Sequence, residues 1–344
     1  MKTYPMAFIS APGIIEFREQ TLRDPKPHEV MIKVRYAAIC GSDLHLFRGR
    51  HPSVQLPSAV GHELSGEVIT TGSAVNRFAA GDRVTVEPIL ACGNCDFCLH
   101  GQYHLCANVS FQYRQGQGAF TSYFYAPENR VYRLLDHLDL KAGALIEPLA
   151  VALHAVKKSG IRLGNSAAVF GAGAIGLLVT ALVSRTSGGE VCCTDISDFR
   201  LEKALEMGAS RTINSSRENA LQSILSATDG MGVDLAFEAV GREETLGAAL
   251  QSVRKGGKVV LLGIFEETET RLPVHLFVQR EISLSGSQGY AWDFEDAIRL
   301  GSSGAVPLGS LITHTVPLEQ VQKGFDLLVT PGNQAVKVLI EMPS

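Results

Sequence analysis

The sequence predicts an α/β protein of two domains, one mostly β and one built on a doubly wound parallel sheet. Three observations lead there. A chain of 344 residues is too long for one ordinary hydrophobic core. Its first part, up to about residue 140, reads as strands and loops rich in Gly and Pro. From about Ala142 short apolar runs alternate with helical stretches, the pattern of a parallel sheet covered on both faces.

The elements follow in order. Glu29 to Ala38 alternates apolar and polar positions, with Val30, Ile32, Val34 and Tyr36 in step, as a half-buried strand does. Leu64–Thr71 and Arg83–Pro88 look similar, each bounded by Gly, Asp or Pro. In the second domain strands are expected at Ala167–Phe170, Val191–Asp195, Thr212–Asn214, Val233–Glu238 and Lys258–Leu262. Helices are expected from the glycine turn to Ser184, at Phe199–Met207, at Glu218–Ala227 and at Glu243–Val253. After about Gly286 the pattern loosens, with a helix near Phe294–Leu300 and a closing strand at Val336–Glu341.

Composition excludes several classes. A hydrophobic fraction of 45% and a charged fraction of 19% belong to a globular chain. The net charge is -4 and the Lys and Arg residues are scattered, so no basic face awaits nucleic acid or anionic lipid. Ser166 to Ser184 carries no charge and imitates a membrane span, but three glycines in nucleotide-loop spacing read better as a buried strand turning into a buried helix. The first residues, MKTYPMAFIS, lack the apolar stretch of a signal peptide. With seven cysteines and no secretory signal, metal or thiol chemistry is expected in place of disulfides, in the cytoplasm.

Cys92, Cys95, Cys98 and Cys106 stand as C-x2-C-x2-C-x7-C. Four thiolates this dense suit a tetrahedral zinc, and a site filled by four protein ligands is structural. Two disulfides would be the bland alternative. An iron–sulfur cluster would want three residues and a following Pro at its last Cys, where this chain has seven and Ala107.

A second set is open. Cys40 in CGSDLH, His62 and Glu63 in GHE, and Glu147 in LIEPLAVALHAV supply a thiolate, an imidazole and one or two carboxylates. Three such ligands leave a position for water or substrate, as a catalytic zinc requires. Each is weak alone: a lone Cys is usually a small buried hydrophobe and a His-Glu pair in a loop is usually solvated. Ser42 and His45 could pass a proton from the substrate hydroxyl towards solvent, or Ser42 could simply cap a helical turn at Asp43–Phe47.

VFGAGAIG places Gly171, Gly173 and Gly176 after an apolar strand and at a helix start. The first permits the tight turn, the second lets backbone approach pyrophosphate, and the third lets helix and strand pack closely. Asp195 ends the next strand at the spacing of the acid that binds the ribose hydroxyls, which favours NAD over NADP. It could instead cap the helix beginning near Phe199. Arg200 could line the adenine edge or be an ordinary surface charge.

Taken together, CGSDLH, GHE, the four-Cys lobe, EPLAVALHAV and VFGAGAIG resemble the zinc-containing medium-chain alcohol dehydrogenases over nearly the whole chain. The resemblance is nearest to the polyol branch, the sorbitol and butanediol dehydrogenases, together with threonine dehydrogenase, because Glu147 stands where liver-type enzymes carry a cysteine. It implies a GroES-like catalytic domain over 1–145, a Rossmann NAD-binding domain over 146–285, and a return to the catalytic domain over 286–344. It implies one catalytic and one structural zinc per chain. Cys40, His62 and Glu63 would hold the catalytic metal, with Glu147 a nearby or alternating ligand, and Ser42 and His45 would form the relay. Ile175, Asp195, Arg200 and the Leu262-Gly263-Ile264 turn would contact NAD. A homo-oligomer, dimer or tetramer, is implied as well.

The expected reaction moves a hydride from a secondary alcohol or polyol to NAD, giving the ketone. L-Threonine is the alternative substrate, but it would want a fixed anion partner such as an Arg in the pocket, and the sequence identifies none. A nucleotide-binding protein without catalysis is a rival that loss of Cys40, His62 or Ser42 would have favoured, and none is lost; a zinc-free quinone reductase would retain neither metal cluster. Pocket walls are expected from His51–Leu56, Phe111–Gln117 and Gly286–Phe294, with Phe111, Tyr113, Tyr290 and Trp292 as candidate aromatics.

Overall fold

The computed structural model describes residues 2–343. The chain divides into one unit of Met1–Glu147 with Ala291–Ser344, and another of Pro148–Tyr290.

In the first unit the strand Glu29–Ala38 is the hub. It pairs antiparallel with Glu63–Thr71, with Tyr123–Pro127 and with Lys337–Glu341, and the last runs parallel to Ile312–Pro317. Arg83–Val86 and Val131–Arg133 extend this sheet beyond Glu63–Thr71. Its period-two residues Val30, Ile32 and Val34 are fully buried against Leu64, Phe120, Phe124 and Phe325, the last from the helix Val321–Val329. The closing strand thus lies beside the segment that leads into Cys40, despite its distance in sequence.

In the second unit six parallel strands run in the order Arg211–Asn214, Val191–Asp195, Ala167–Phe170, Val233–Glu238, Val253–Leu261, Ser283–Gly286. The order reverses direction next to Ala167–Phe170, the point at which open α/β sheets bind ligands beyond their carboxyl ends. The uncharged stretch at 166–184 is the strand Ala167–Phe170 followed by the helix Ala174–Ser187. No helix of the described residues is long and apolar enough to cross a membrane. The Lys258–Leu262 strand begins earlier than the apolar pattern suggests, at Val253, because Arg254, Lys255, Gly256 and Gly257 carry no periodic signal.

Candidate active site

Cys40 lies just past the hub strand, at the N-cap of the helix Gly41–Phe47. Asp43, buried in the first turn of that helix, folds back. One oxygen accepts from the Cys40 N–H at 3.0 Å and the other from the Gly61 N–H at 3.4 Å. A single carboxylate therefore fixes both loops that present Cys40 and His62. Asp43 was not singled out as a site residue from sequence, although its place three residues into a helix start is a capping-box signal. Ser42 is not the cap, since Cys40 holds that position; Ser42 and His45 are half-buried on the same short helix.

Donor atoms of Cys40, His62 and Glu63 all lie within 4.8 Å of one another. His62 is buried, its Nδ1 has no hydrogen-bond partner, and that atom is 3.7 Å from Asp43 Oδ1. Burial opposes charging the imidazole, but Asp43, Cys40 and Glu147 together hold its pKa well above the usual 6.5. A field that strong, around a buried ring nitrogen and a thiol, is the field a divalent cation satisfies, and a soft–borderline set of S, N and O suits zinc. Glu147 is buried in the first turn of the helix Ile146–Ser159 but is not one of the three clustered donors. Its charge reaches His62 and Lys337.

Glu63 has a partner that sequence reasoning missed. Lys337 Nζ lies 2.5 Å from both Glu63 oxygens and donates to the Ile39 carbonyl at 3.1 Å. Both side chains are buried. The only signal was a lysine inside the apolar closing strand of AVKVLIE.

Around this cluster of donors, the His62 ring packs on Tyr113 with centroids 5.6 Å apart, and Tyr113 stacks on Phe111 at 5.5 Å. His51 is half-buried; burial first, then Arg114, His45 and His62, push its pKa down to about 4. Tyr290 is buried. Trp292, a candidate for the pocket wall or for packing, sits against the four-cysteine lobe. Its backbone N–H donates to Tyr103 Oη at 3.0 Å, its indole N–H donates to the Gly101 carbonyl at 2.8 Å, and its φ is +65°. Tyr103 also hydrogen-bonds to fully buried Glu87, which accepts from Arg130 at 2.8 Å and Tyr132 at 2.9 Å.

In that lobe the sulfurs of Cys92, Cys95, Cys98 and Cys106 are 3.5 to 4.0 Å apart along four measured edges. A tetrahedron with ~2.3 Å Zn–S bonds has edges of about 3.8 Å. These separations are far too long for disulfides, and all four cysteines are free. Backbone N–H groups of Cys98 and Ala107 pull the Cys95 thiol down to about 6, towards the thiolate a metal needs.

In the second unit Gly171 has φ +99°, a conformation open to glycine, and a Cβ there would meet Val240 at 2.6 Å. A Cβ on Gly176 would meet the Gly171 carbonyl at 1.8 Å, which is the close helix–strand packing its position demands. Above Gly173, which caps the helix Ala174–Ser187, a Cβ would meet nothing within 4 Å, leaving the space a pyrophosphate requires at a helix N-terminus. Ile175 is half-buried in the first turn. Asp195 accepts from Ala172 N–H at 2.7 Å and Ser197 N–H at 3.0 Å. It does not cap the next helix: Ser197 does, accepting from Arg200 N–H at 3.5 Å. Leu262 and Gly263 N–H groups both donate to the Glu238 carbonyl, and Ile264 is 36% exposed beside them.

Residues 26–136 match the family described as alcohol dehydrogenase GroES-like domain, and residues 174–303 match the family described as zinc-binding dehydrogenase. A sorbitol dehydrogenase of Bacillus subtilis is 37% identical, covering 94% of each chain. Among solved structures, a 2R,3R-butanediol dehydrogenase of Bacillus subtilis matches with a TM-score of 0.88 and 33% identity, over 99% of this chain and 100% of that one. A protein of Sinorhizobium meliloti described as a zinc-binding dehydrogenase bound to NADP matches with a TM-score of 0.93 and 30% identity, over 99% and 100%. The chain belongs to the zinc-type alcohol and polyol dehydrogenases, and it is an oxidoreductase with a GroES-like domain and a Rossmann-type parallel sheet.

Proposed function

We propose that the protein oxidises a secondary hydroxyl of a polyol to the ketone with NAD, using a zinc held by Cys40, His62 and Glu63, with Glu147 in reserve beside them. The observation that carries this reading is the trio of clustered donors around an unpartnered buried imidazole nitrogen. The names of the relatives, sorbitol and butanediol dehydrogenases, support the substrate class.

Cys40, His62 and Glu63 would hold the zinc, which would supply Lewis acidity towards the substrate hydroxyl, and a dinucleotide on the glycine loop would supply the hydride acceptor. The chain's own groups do the rest. Asp43 holds the Cys40 and His62 loops in register through two backbone N–H bonds. Ser42 Oγ takes the hydroxyl proton and His45 hands it to solvent. Gly171, Gly173, Ile175 and Gly176 seat the pyrophosphate, while Asp195, Arg200 and Leu262–Ile264 hold the ribose and adenine side of the dinucleotide. We assign 1–145 and 286–344 to the catalytic domain and 146–285 to the nucleotide domain, in a cytoplasmic homo-oligomer.

The test is turnover of sorbitol, xylitol and butanediols with NAD, and of threonine beside them, with zinc quantified in the same sample. Absence of turnover on every polyol overturns the substrate class. Asp195→Ser is expected to cut the NAD-over-NADP preference by about 10- to 100-fold, because it removes a bidentate acceptor and a charge that repels a 2′-phosphate; KM ratios for the two dinucleotides check it.

The four-cysteine lobe is proposed as the second, structural zinc site. Metal analysis is expected to find two zinc ions per chain. In Cys98→Ser one of them is lost, because a structural site worth about 10–16 kcal/mol of apparent binding energy does not survive removal of a thiolate. Full zinc content in that variant would reject the assignment.

A further inference from the structure

The rim of the proposed metal centre carries positive charge that polyol oxidation does not require. Arg114 lies with its guanidinium 5.5 Å over the Phe111 ring and donates through Nη2 to Ser53 Oγ at 2.9 Å. Among the described residues no carboxylate forms an ion pair with it. His51 Nδ1 accepts from the Ser53 N–H at 3.2 Å, so His51, Ser53 and Arg114 form one connected corner. The corner joins the metal residues through stacked rings, Phe111 on Tyr113 and Tyr113 on His62. It also shares its field with His45 and His62.

A guanidinium offers five donors in a planar fork, and this one commits a single bond to a neutral hydroxyl. It is an exposed cation on the loop 111–117, within cation–π range of the Phe111 ring. A neutral polyol gains little from such a group. A carboxylate or a phosphate monoester presents two oxygens at the fork's own spacing and pairs with it through charge-assisted bonds.

We propose that Arg114, oriented by Ser53 and Phe111 with His51 beside it, receives an anionic terminus of the polyol substrate, either the carboxylate of a sugar acid or the phosphate of a sugar-alcohol phosphate. The inference rests on the polyol-oxidation reading. The anion lies at the end of the substrate away from the reacting carbon, since two rings, Phe111 and Tyr113, stand between the Arg114 guanidinium and His62.

The experiment uses the zinc-loaded enzyme with saturating NAD and three matched substrate sets: neutral hexitols and pentitols, the corresponding aldonates, and the corresponding polyol phosphates. One anionic set is expected to exceed the neutral set in kcat/KM by about 10- to 100-fold, mostly through KM. Which set wins identifies the source of the anion. Arg114→Gln is expected to bring the anionic-to-neutral ratio to within about 2-fold of unity, and Arg114→Lys to keep part of it, since lysine retains charge but not the fork. Neutral polyols turned over as well as both anionic sets, or a preference that survives Arg114→Gln, overturns the proposal while leaving polyol oxidation standing. If no member of any set reacts, polyol oxidation itself fails, and this inference with it.

Discussion

Replacing Cys40 with serine is expected to lower kcat/KM by about a thousandfold while NAD affinity stays within about two-fold of the wild type. Cys40 is the one soft donor among the three clustered groups, and its thiolate is the ligand that distinguishes this set from a mere His–carboxylate pair. A serine hydroxyl at the same place is neutral at working pH and binds zinc weakly. The Lewis acidity of such a metal contributes several kcal/mol to the transition state, and about 4 kcal/mol corresponds to three decades of rate. The dinucleotide residues lie in the other unit, on a sheet of their own, so their fold does not depend on Cys40. Steady-state kinetics, a titration of NADH fluorescence and metal analysis on one preparation check all three parts. Unaltered turnover would falsify the role of Cys40 and the whole assignment of the metal centre.

Replacing Lys337 with methionine is expected to destabilise the first unit by about 3–5 kcal/mol, because it leaves Glu63 buried without its charge partner. Methionine keeps most of the volume, so packing loss is a minor part. On a unit of this size the effect corresponds to a fall of roughly 10 °C in the transition that reports on it. The double variant Glu63→Gln with Lys337→Met is expected to recover most of the loss, since a neutral pair carries no buried charge. The penalty of the single variant is also expected to grow when the enzyme is treated with chelator, because zinc at Glu63 offsets part of the missing ammonium. Thermal melts of the wild type, Lys337→Met, Glu63→Gln and the double variant, with and without chelator, measure the coupling. A single variant as stable as the wild type in chelator would show that Glu63 is not held as a buried carboxylate.

Much of this architecture is written locally in the sequence. The four cysteines, the glycine loop and Asp195 signal through fixed spacing within one turn or one strand–helix unit, so their geometry is decided over a few residues. The strand Glu29–Ala38 shows its buried side by simple alternation. What escaped was set by tertiary placement. Lys337 meets Glu63 only because the closing strand docks on the hub strand, and no short-range pattern encodes that pairing. Arg114 and Trp292 sit in irregular loops, where the aromatic composition was visible but the direction of each side chain was not; Trp292 turned out to face the cysteine lobe. Ser42 and Asp195 were each balanced between capping and chemistry, and the caps fell to Cys40 and Ser197. Asp43 was hidden because a carboxylate near a helix start is so ordinary.

The contact between Trp292 and the cysteine lobe has a wider consequence. Ala291 is where the chain re-enters the first unit after completing the nucleotide sheet, and the next residue is moored to Tyr103 and Gly101, which lie between the lobe's third and fourth cysteines. The lobe therefore anchors the splice of a discontinuous domain: the peptide that must find its way back is met by a loop which a metal on the four cysteines would make rigid. An oxidised lobe would loosen that mooring at long range, so the redox state of four sulfurs, from exposed Cys92 to buried Cys106, bears on how faithfully the last fifty or so residues rejoin the sheet that carries Lys337 to Glu63.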